Sequence, residues 1–563
     1  MTFKQALKAW NRQRLDRQRN KRAAARGEGD DYVDWVANFD TVNDALRENF
    51  RARAANLQAR PLISVLMPVY NPEPAWLAEA LDSVLAQAWP HWELCIADDR
   101  STDPRIAEVL GAYAARDTRI RVVHRSENGH ISAASNTALE MARGSHVALL
   151  DHDDLLPEHA LLCVAETLAR HPDAAVIYSD EDKIDGHRAR REAYFKSAWN
   201  PELFRGHNMI SHFGVYSTQL VRDVGGFRVG FEGAQDYDLA LRCVDAVAHD
   251  RILHIPHVLY HWRIHAESTS AGNAVKPYAL EAGRRALRAH FVRRGIAGDI
   301  GVDPAGWYLA QYRLPEPAPS VSVIVSGASA EAIAALQGAT DYPGAVFLPA
   351  AATPAACQQV AAHALGDFLV FVDAECTPRD PHWLRHLLAH AAVPGVGAAA
   401  GKLVSAKGRI TGAGKLLGLE PWQVPFSQRE RANGTGYCGR AALSQSLSAL
   451  GSGCLAVRRE AYAAVEGFDP TFRSLDVAAI DLTLRLARTG WRNLWAPVVE
   501  MGHVPSMKRR IVDAFRALVD GPRVGARFED AAYNPNLGRH GRFRFAYPPR
   551  AAIDFPAQAR RGA

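Results

Sequence analysis

Val147-Ala148-Leu149-Leu150 runs directly into Asp151-His152-Asp153-Asp154. Four apolar residues ended by three carboxylates in four positions read as a buried strand that opens onto a charged site. In open α/β sheets, ligands bind beyond the carboxyl ends of parallel strands, which is where this cluster falls. Carboxylates this crowded repel one another unless a cation lies between them. Mg²⁺ or Mn²⁺ suits such a place, because these ions take few protein carboxylates and complete their shell with phosphate oxygens and water. The competing reading is an acidic turn, with Asp154 starting the helix that Pro157-Glu158 opens.

The flanking sequence alternates between strand and helix patterns. Ile63-Ser64-Val65-Leu66-Met67-Pro68 reads as a strand, and Trp76, Leu77, Ala80, Leu81, Val84, Leu85 and Ala88 then recur at helical spacing. Further strands are expected at 94–97, 122–124, 147–150 and 176–178, with helices at 131–142 and 161–169. This alternation predicts an α/β domain with a mostly parallel sheet and helices on both faces. After the Pro-rich segment 315–320 the pattern returns in worn form. Ser320-Val321-Ser322-Val323-Ile324-Val325 echoes the first strand, and Gly366 through Glu375 echoes Gly144 through Asp153. Gly467-Phe468 echoes Gly226-Phe227, and Asp481-Leu482-Thr483-Leu484-Arg485 echoes Asp238-Leu239-Ala240-Leu241-Arg242. The second copy is shorter in its front half. The expected division is a basic helical extension (1–60), a first α/β domain (61–315), a degenerate copy (316–510) and a tail (511–563).

Composition narrows the class. Hydrophobic content of 48% and charged content of 23% are those of an ordinary soluble protein, and a net charge of +5 over 563 residues does not argue for nucleic acid. Seven scattered cysteines, none spaced as C-x-x-C, point to reduced thiols and against a zinc site. No apolar run approaches the roughly 18–20 residues that span a bilayer, so a cytoplasmic location is expected. Lys4, Lys8, Arg12, Arg14, Arg17, Arg19, Lys21, Arg22 and Arg26 crowd the start of the chain. That segment reads as a solvated helical extension docked through Trp35, Val36 and Phe39, or as a helix leaning on the anionic face of the inner membrane.

Polar groups recur at the ends of the expected strands: Pro68-Val69-Tyr70-Asn71, then Asp98-Asp99-Arg100-Ser101-Thr102-Asp103, then Asn128-Gly129-His130-Ile131-Ser132 with Asn136. The acidic cluster, Tyr178-Ser179-Asp180-Glu181-Asp182-Lys183, Gly225-Gly226-Phe227, Gln235-Asp236-Tyr237-Asp238 and His257 through Arg263 follow. Each alone has a structural explanation, such as a cap, a turn dipeptide or a core histidine. Their joint order is harder to explain that way.

On these motifs, residues 61–270 resemble a family 2 glycosyltransferase of the GT-A fold, of the bacterial kind that builds O-antigen, rhamnan or capsular glycans. Residues 320–505 resemble a degenerate second copy, and Asn534-Pro535-Asn536-Leu537 resembles the tail of such tandem proteins. The resemblance implies that Pro68, Tyr70, Asp98, Asp99, Asn128, Asn136 and Asp151 bind a nucleoside-diphosphate sugar. It implies that Asp151, Asp153 and His261 hold Mg²⁺ or Mn²⁺. Asp236 would be the general base of an inverting transfer, and Glu181, Asp182, Trp262 and Arg263 would meet a lipid-linked or oligosaccharide acceptor. Arg100 departs from the family's usual Gly, and Gln235 from its usual Glu. In the second copy, Glu375, Cys376 and Ala479 stand where the chemistry needs Asp, so that copy reads as inactive. A rival reading is a non-catalytic glycan-binding scaffold.

Overall fold

A computed structural model describes residues 28–29, 31–264, 277–412, 414–419, 423–427, 430–503, 528–539 and 543–551. The basic run from Lys4 to Arg26, on which the membrane-contact expectation rests, lies outside the described residues.

The first sheet contains β1 (Ile63–Val69), β2 (Trp92–Asp98), β3 (Ile120–His124), β4 (His146–Leu149), β5 (Val176–Ile184), β6 (Arg190–Tyr194), β7 (Val215–Ser217) and β8 (Ile252–Arg263). Its order is β3-β2-β1-β4-β7-β5-β6, with β8 also paired to β5. The β1–β2, β2–β3, β1–β4 and β5–β8 pairs are parallel. β7 runs antiparallel between β4 and β5, and β6 pairs antiparallel with β5. Residues 92–98 are buried throughout, as expected of a strand covered by helices on both faces. Because β1, β2 and β4 are parallel neighbours, the segments beginning at Tyr70, Asp98 and Asp151 emerge together at one sheet edge.

A second sheet contains β9 (Val321–Ser326), β10 (Val346–Ala350), β11 (Phe368–Asp373), β12 (Cys376–Pro378), β13 (Val396–Val404), β14 (Cys454–Arg458) and β15 (Arg492–His503). Its order is β10-β9-β11-β14-β13-β15-β12. This repeats β2-β1-β4-β7-β5-β8 strand for strand. Among the described residues no strand stands outside β10 where β3 flanks β2, which is the physical form of the shortened front half. The register break between Ser179 and Asp180 against β8 recurs between Gly401 and Lys402 against β15.

The helices at the start of the described chain are docked, and Trp35, expected as a docking point, is buried. Tyr32–Phe39 is capped by Asp31 and Asp44–Asn56 by Asn43. Trp35 and Phe50 are buried, and Arg47 and Arg53 pair with Glu158 and Glu166 of the first domain. The tail folds back as well. Asn534 Nδ2 donates to both carboxylate oxygens of Asp180 (3.0 and 2.8 Å) and to the carbonyl of Lys196.

Glu202 ties the two halves together. It is fully buried, accepts from Arg492 Nε (2.9 Å) and Ser446 Oγ (2.5 Å) of the second half, and lies 3.5 Å from Arg205. Burial opposes its charge, but Arg492 and Arg205 prevail and hold its carboxyl down at about 2. A depressed carboxylate contributes stability above its ordinary value of 4.5 and loses it as pH falls toward 2. Glu202→Ala leaves the buried Arg205 and the partly buried Arg492 without their shared carboxylate and is expected to destabilise the fold by about 3–5 kcal/mol in urea unfolding at pH 7. The difference from wild type should narrow as the pH falls through 4.

Candidate active site

The turn after β2 is built by its own polar groups. Asp98 accepts from Ser101 N (3.0 Å) and from His124 Nδ1 (2.8 Å). Arg100 has φ +63°, a left-handed conformation that favours glycine, so the departure at this position keeps the turn and accepts its strain. Asn71 stitches the loop after β1 to the same turn through Thr102 N (2.8 Å) and Ser101 Oγ (3.0 Å). Tyr70 is left exposed above it.

Three expected nucleotide contacts have other work. Asp99 is buried and accepts from Arg125 Nε (2.7 Å) and Gly129 N (3.0 Å), and Asn128 donates back to the Asp99 carbonyl (3.1 Å). Together Asp99 and Asn128 shape the loop leading into helix His130–Met141. Asn136, one face further along, clamps both backbone groups of Phe227 at 2.8 Å. Gly226 beside it has φ +66°, and a Cβ there would stand 2.6 Å from Asn136 Oδ1, which explains the glycine.

Pro68, Asp151, His212, Gln235 and Asp236 line one cleft. Asp236 is the second residue of helix Gln235–Asp245, so its carboxylate sits at the positive end of the helix, and Asn208 Nδ2 donates to it at 2.7 Å. Burial pushes its carboxyl up, and His212 opposes that shift. Burial likewise raises Asp151; Asp153 adds to the shift and the His212 charge opposes it. Asp154 is buried and accepts from Tyr260 Oη (2.5 Å) and Arg263 N (2.7 Å), and helix Ala160–Arg170 starts well beyond it. The acidic-turn reading with Asp154 as helix cap is therefore corrected: Asp154 anchors the loop to β8.

Alternation along β8 sorts the remaining candidates. Tyr260 stacks on His212 and Trp262 packs against it at a tilt, with ring centroids 5.3 and 4.3 Å away. His261 and Arg263 point the other way. His261 Nδ1 lies 2.6 Å from Asp182 Oδ1, and Asp182 also accepts from Tyr32 Oη (2.7 Å) and Arg190 Nε (2.5 Å). Arg263 braces the Asp153 carbonyl (2.7 Å) and Glu79 (2.6 Å). His261 and Asp182, expected at the metal and at the acceptor, are joined to each other and to Tyr32 and Arg190, and Arg263, expected at the acceptor, is joined to the Asp153 loop and to Glu79. Glu181 stays on the cleft side but is taken by Lys196 Nζ (2.8 Å) and Ser211 Oγ (3.2 Å), and its carboxyl is held well below the usual range.

His212 is the group that sequence reading missed. Burial works against its charge, yet Glu181, with Asp154 and Asp151 beyond, carries its pKa up to about 9. The only signal for it was the short β7 pairing, invisible without the sheet.

In the second sheet Asp373 ends β11 as Asp151 follows β4, but its surroundings differ. Asp476 is paired with Lys415 (2.9 Å) and Ala479 is buried in helix Leu475–Arg488.

An open, largely parallel sheet with a polar cleft at its carboxyl edge, and a carboxylate-bearing helix facing that edge, defines a GT-A-type α/β protein. Residues 64–225 match the family model described as Glycosyl transferase family 2. It is 39% identical over 554 residues, 90% of the chain, to an uncharacterized protein of Sinorhizobium fredii. It is 31% identical over 549 residues, 91% of the chain, to the O-antigen biosynthesis protein RfbC of Myxococcus xanthus. The chain spans 61% and 42% of the length of these two relatives. The structure of S. aureus TarS 1-349 in complex with UDP-GlcNAc superposes on 41% of the chain and 66% of that protein, with a TM-score of 0.35 and 22% identity.

Proposed function

We propose that the first domain transfers a sugar from a nucleoside-diphosphate sugar to a growing cell-surface glycan of O-antigen, rhamnan or capsular type, with inversion at the anomeric carbon. The observation that carries this reading is the single cleft shared by Asp151, at a parallel strand end, and Asp236, at a helix amino end. Burial raises the proton affinity of Asp236 above that of a solvated carboxylate, which suits it to take the proton of the attacking hydroxyl. The helix end and Asn208 keep it ionised and aimed. One base facing one leaving group supports a single displacement, and hence inversion. The nucleotide would lie over Pro68, Tyr70 and Asp98, and Trp262 is the remaining platform for an acceptor sugar.

Asp151 and Asp153 fit Mg²⁺ or Mn²⁺. They offer oxygen donors only, and a cation would relieve the repulsion that Asp153 adds to the burial of Asp151. Among the described residues no three His, Cys, Asp or Glu side chains converge on one metal position, so diphosphate oxygens and water would complete the shell. Such an ion, when bound, supplies Lewis-acid stabilisation of charge on the leaving diphosphate. Among the described residues no helix is long and apolar enough to cross a membrane.

Incubating the full chain with UDP-, GDP-, dTDP- and CDP-sugars and Mg²⁺ or Mn²⁺ tests the reading. Slow hydrolysis of one donor, and transfer once an oligosaccharide acceptor is added, are expected. Glycan binding with no turnover of any donor would favour the scaffold reading instead.

A further inference from the structure

The geometry points to His212 as a second substrate-contacting residue of the cleft, donating from Nε2 to the diphosphate of the bound donor, with Glu181 as its positioning residue. This rests on the reading that the cleft takes a nucleoside-diphosphate sugar.

The sheet puts His212 there. β7 runs antiparallel to β4, pairing Val147 with Tyr216 and Ala148 with Val215, and Leu149 N donates to the Gly214 carbonyl (3.1 Å). Continuing that register past the strand end places His212 beside Asp151, and both line the cleft. The ring is fixed on three sides. Tyr260 stacks on it, Trp262 packs against it at a tilt, and Nδ1 faces Ser211 Oγ (3.0 Å) and Glu181 Oε2 (3.6 Å). Nε2 has no protein partner among the described residues, and the cleft is what remains for it. Behind Glu181 stands Lys196, itself buried, donating to Glu181 Oε2 (2.8 Å) and to the Ile210 carbonyl (2.9 Å). Lysine, glutamate and imidazole therefore form one buried line whose outlet is Nε2.

Such a line is an expensive way to fill space, because buried ion pairs are often no better for stability than apolar side chains of similar volume. The second sheet contains the cheaper solution. Its β13–β15 and β13–β14 registers put Leu403 at the position of Glu181 and Gly453 at that of His212. A Cβ on Gly453 would stand 2.6 Å from Leu403 Cδ1, so leucine occupies the room that the Glu181–His212 pair takes in the first domain. The strand-end aspartate (Asp373) and the Gly467-Phe468 turn persist in that copy, while Glu181, His212 and Asp236 have no counterparts there. The pair was lost together with the base, as expected for groups that serve the reaction and not the sheet.

Charge complementarity selects the diphosphate. The other charged groups facing the cleft, Asp151 and Asp236, are anionic. An N–H aimed into that cleft gains most from an ionised phosphate oxygen, since hydrogen bonds with a charged partner are roughly twice as strong as neutral ones.

The test is calorimetric binding of UDP, GDP, dTDP and CDP, and of the matching monophosphates, to the full chain with Mg²⁺ present. For the diphosphate that wild type prefers, His212→Ala should weaken affinity by about 10–100-fold while the monophosphate changes less than about twofold. His212→Gln should recover part of the loss. Glu181→Gln should weaken diphosphate binding less than His212→Ala, and the double variant should be no worse than His212→Ala, because Glu181 acts only through the ring. An unchanged thermal unfolding midpoint for His212→Gln would separate this role from folding. If wild type binds the diphosphate and His212→Ala leaves the diphosphate-to-monophosphate ratio untouched, this inference falls and the reading of the cleft stands. If wild type binds none of the nucleotides, both fall.

Discussion

Asp236→Asn lowers the transfer rate at saturating donor by on the order of 10²–10⁴, with nucleoside-diphosphate affinity unchanged. Asparagine keeps the size of the side chain, its place at the helix amino end and an oxygen for the Asn208 amide. It cannot take the proton of the attacking hydroxyl. The pH profile carries the same signature. Burial raises the Asp236 carboxyl above its ordinary value of 3.8, so wild-type kcat should fall as pH drops through a point above the usual carboxylate range. That acid limb should disappear in the variant. Steady-state rates at saturating donor, beside direct measurement of donor binding, decide the matter. Collapse of donor binding with an unchanged saturated rate would make Asp236 a binding residue.

Asp153→Ala is expected to cost a factor on the order of 10²–10³ in rate, the equivalent of several kcal/mol of charge stabilisation on the leaving diphosphate. Asp153 is only partly buried, on a loop held elsewhere by Arg263 at its carbonyl and by Asp154 at Tyr260 and Arg263 N. Removing its carboxylate therefore leaves the loop anchored, and the thermal midpoint should move little. Excess chelator should reduce wild type to a similar rate and have little further effect on the variant, and added Mn²⁺ or Mg²⁺ should rescue wild type alone. Full wild-type activity in excess chelator would remove the cation from the mechanism and leave the fold assignment intact.

The α/β class was legible because each parallel strand is a short apolar run closed by a polar turn, and each helix repeats at 3.6. β1, β2 and β4 are of this kind, and their polar ends at Tyr70, Asp98 and Asp151 follow directly. β7 was not legible: three residues carry no periodicity, yet it is the strand that brings His212 to the cleft. β8 was read only as a motif, and a motif does not state which way each side chain points. Pairing β8 against β5, with the register shift between Ser179 and Glu181, turns Trp262 toward the cleft and sends His261 and Arg263 to the opposite face. The partners of Asp99, Asn128 and Asn136 were illegible for a related reason. Aspartate and asparagine at a strand end serve equally to bind a ligand or to satisfy a turn's backbone, and only their partners tell the two apart.

Local sequence thus determined the elements, the repeat and the positions of Asp98, Asp151, Asp153 and Asp236, because strand and helix patterns, and the breaks that end them, are properties of neighbouring residues. Which of those side chains share a cleft was decided by tertiary structure. The Lys196–Glu181–His212 line joins residues 15 and 31 positions apart through strand pairing, and Asp180 is held by an asparagine 354 positions away. Such contacts depend on sheet order and register, which are set when the apolar faces pack together, and no window of sequence contains them.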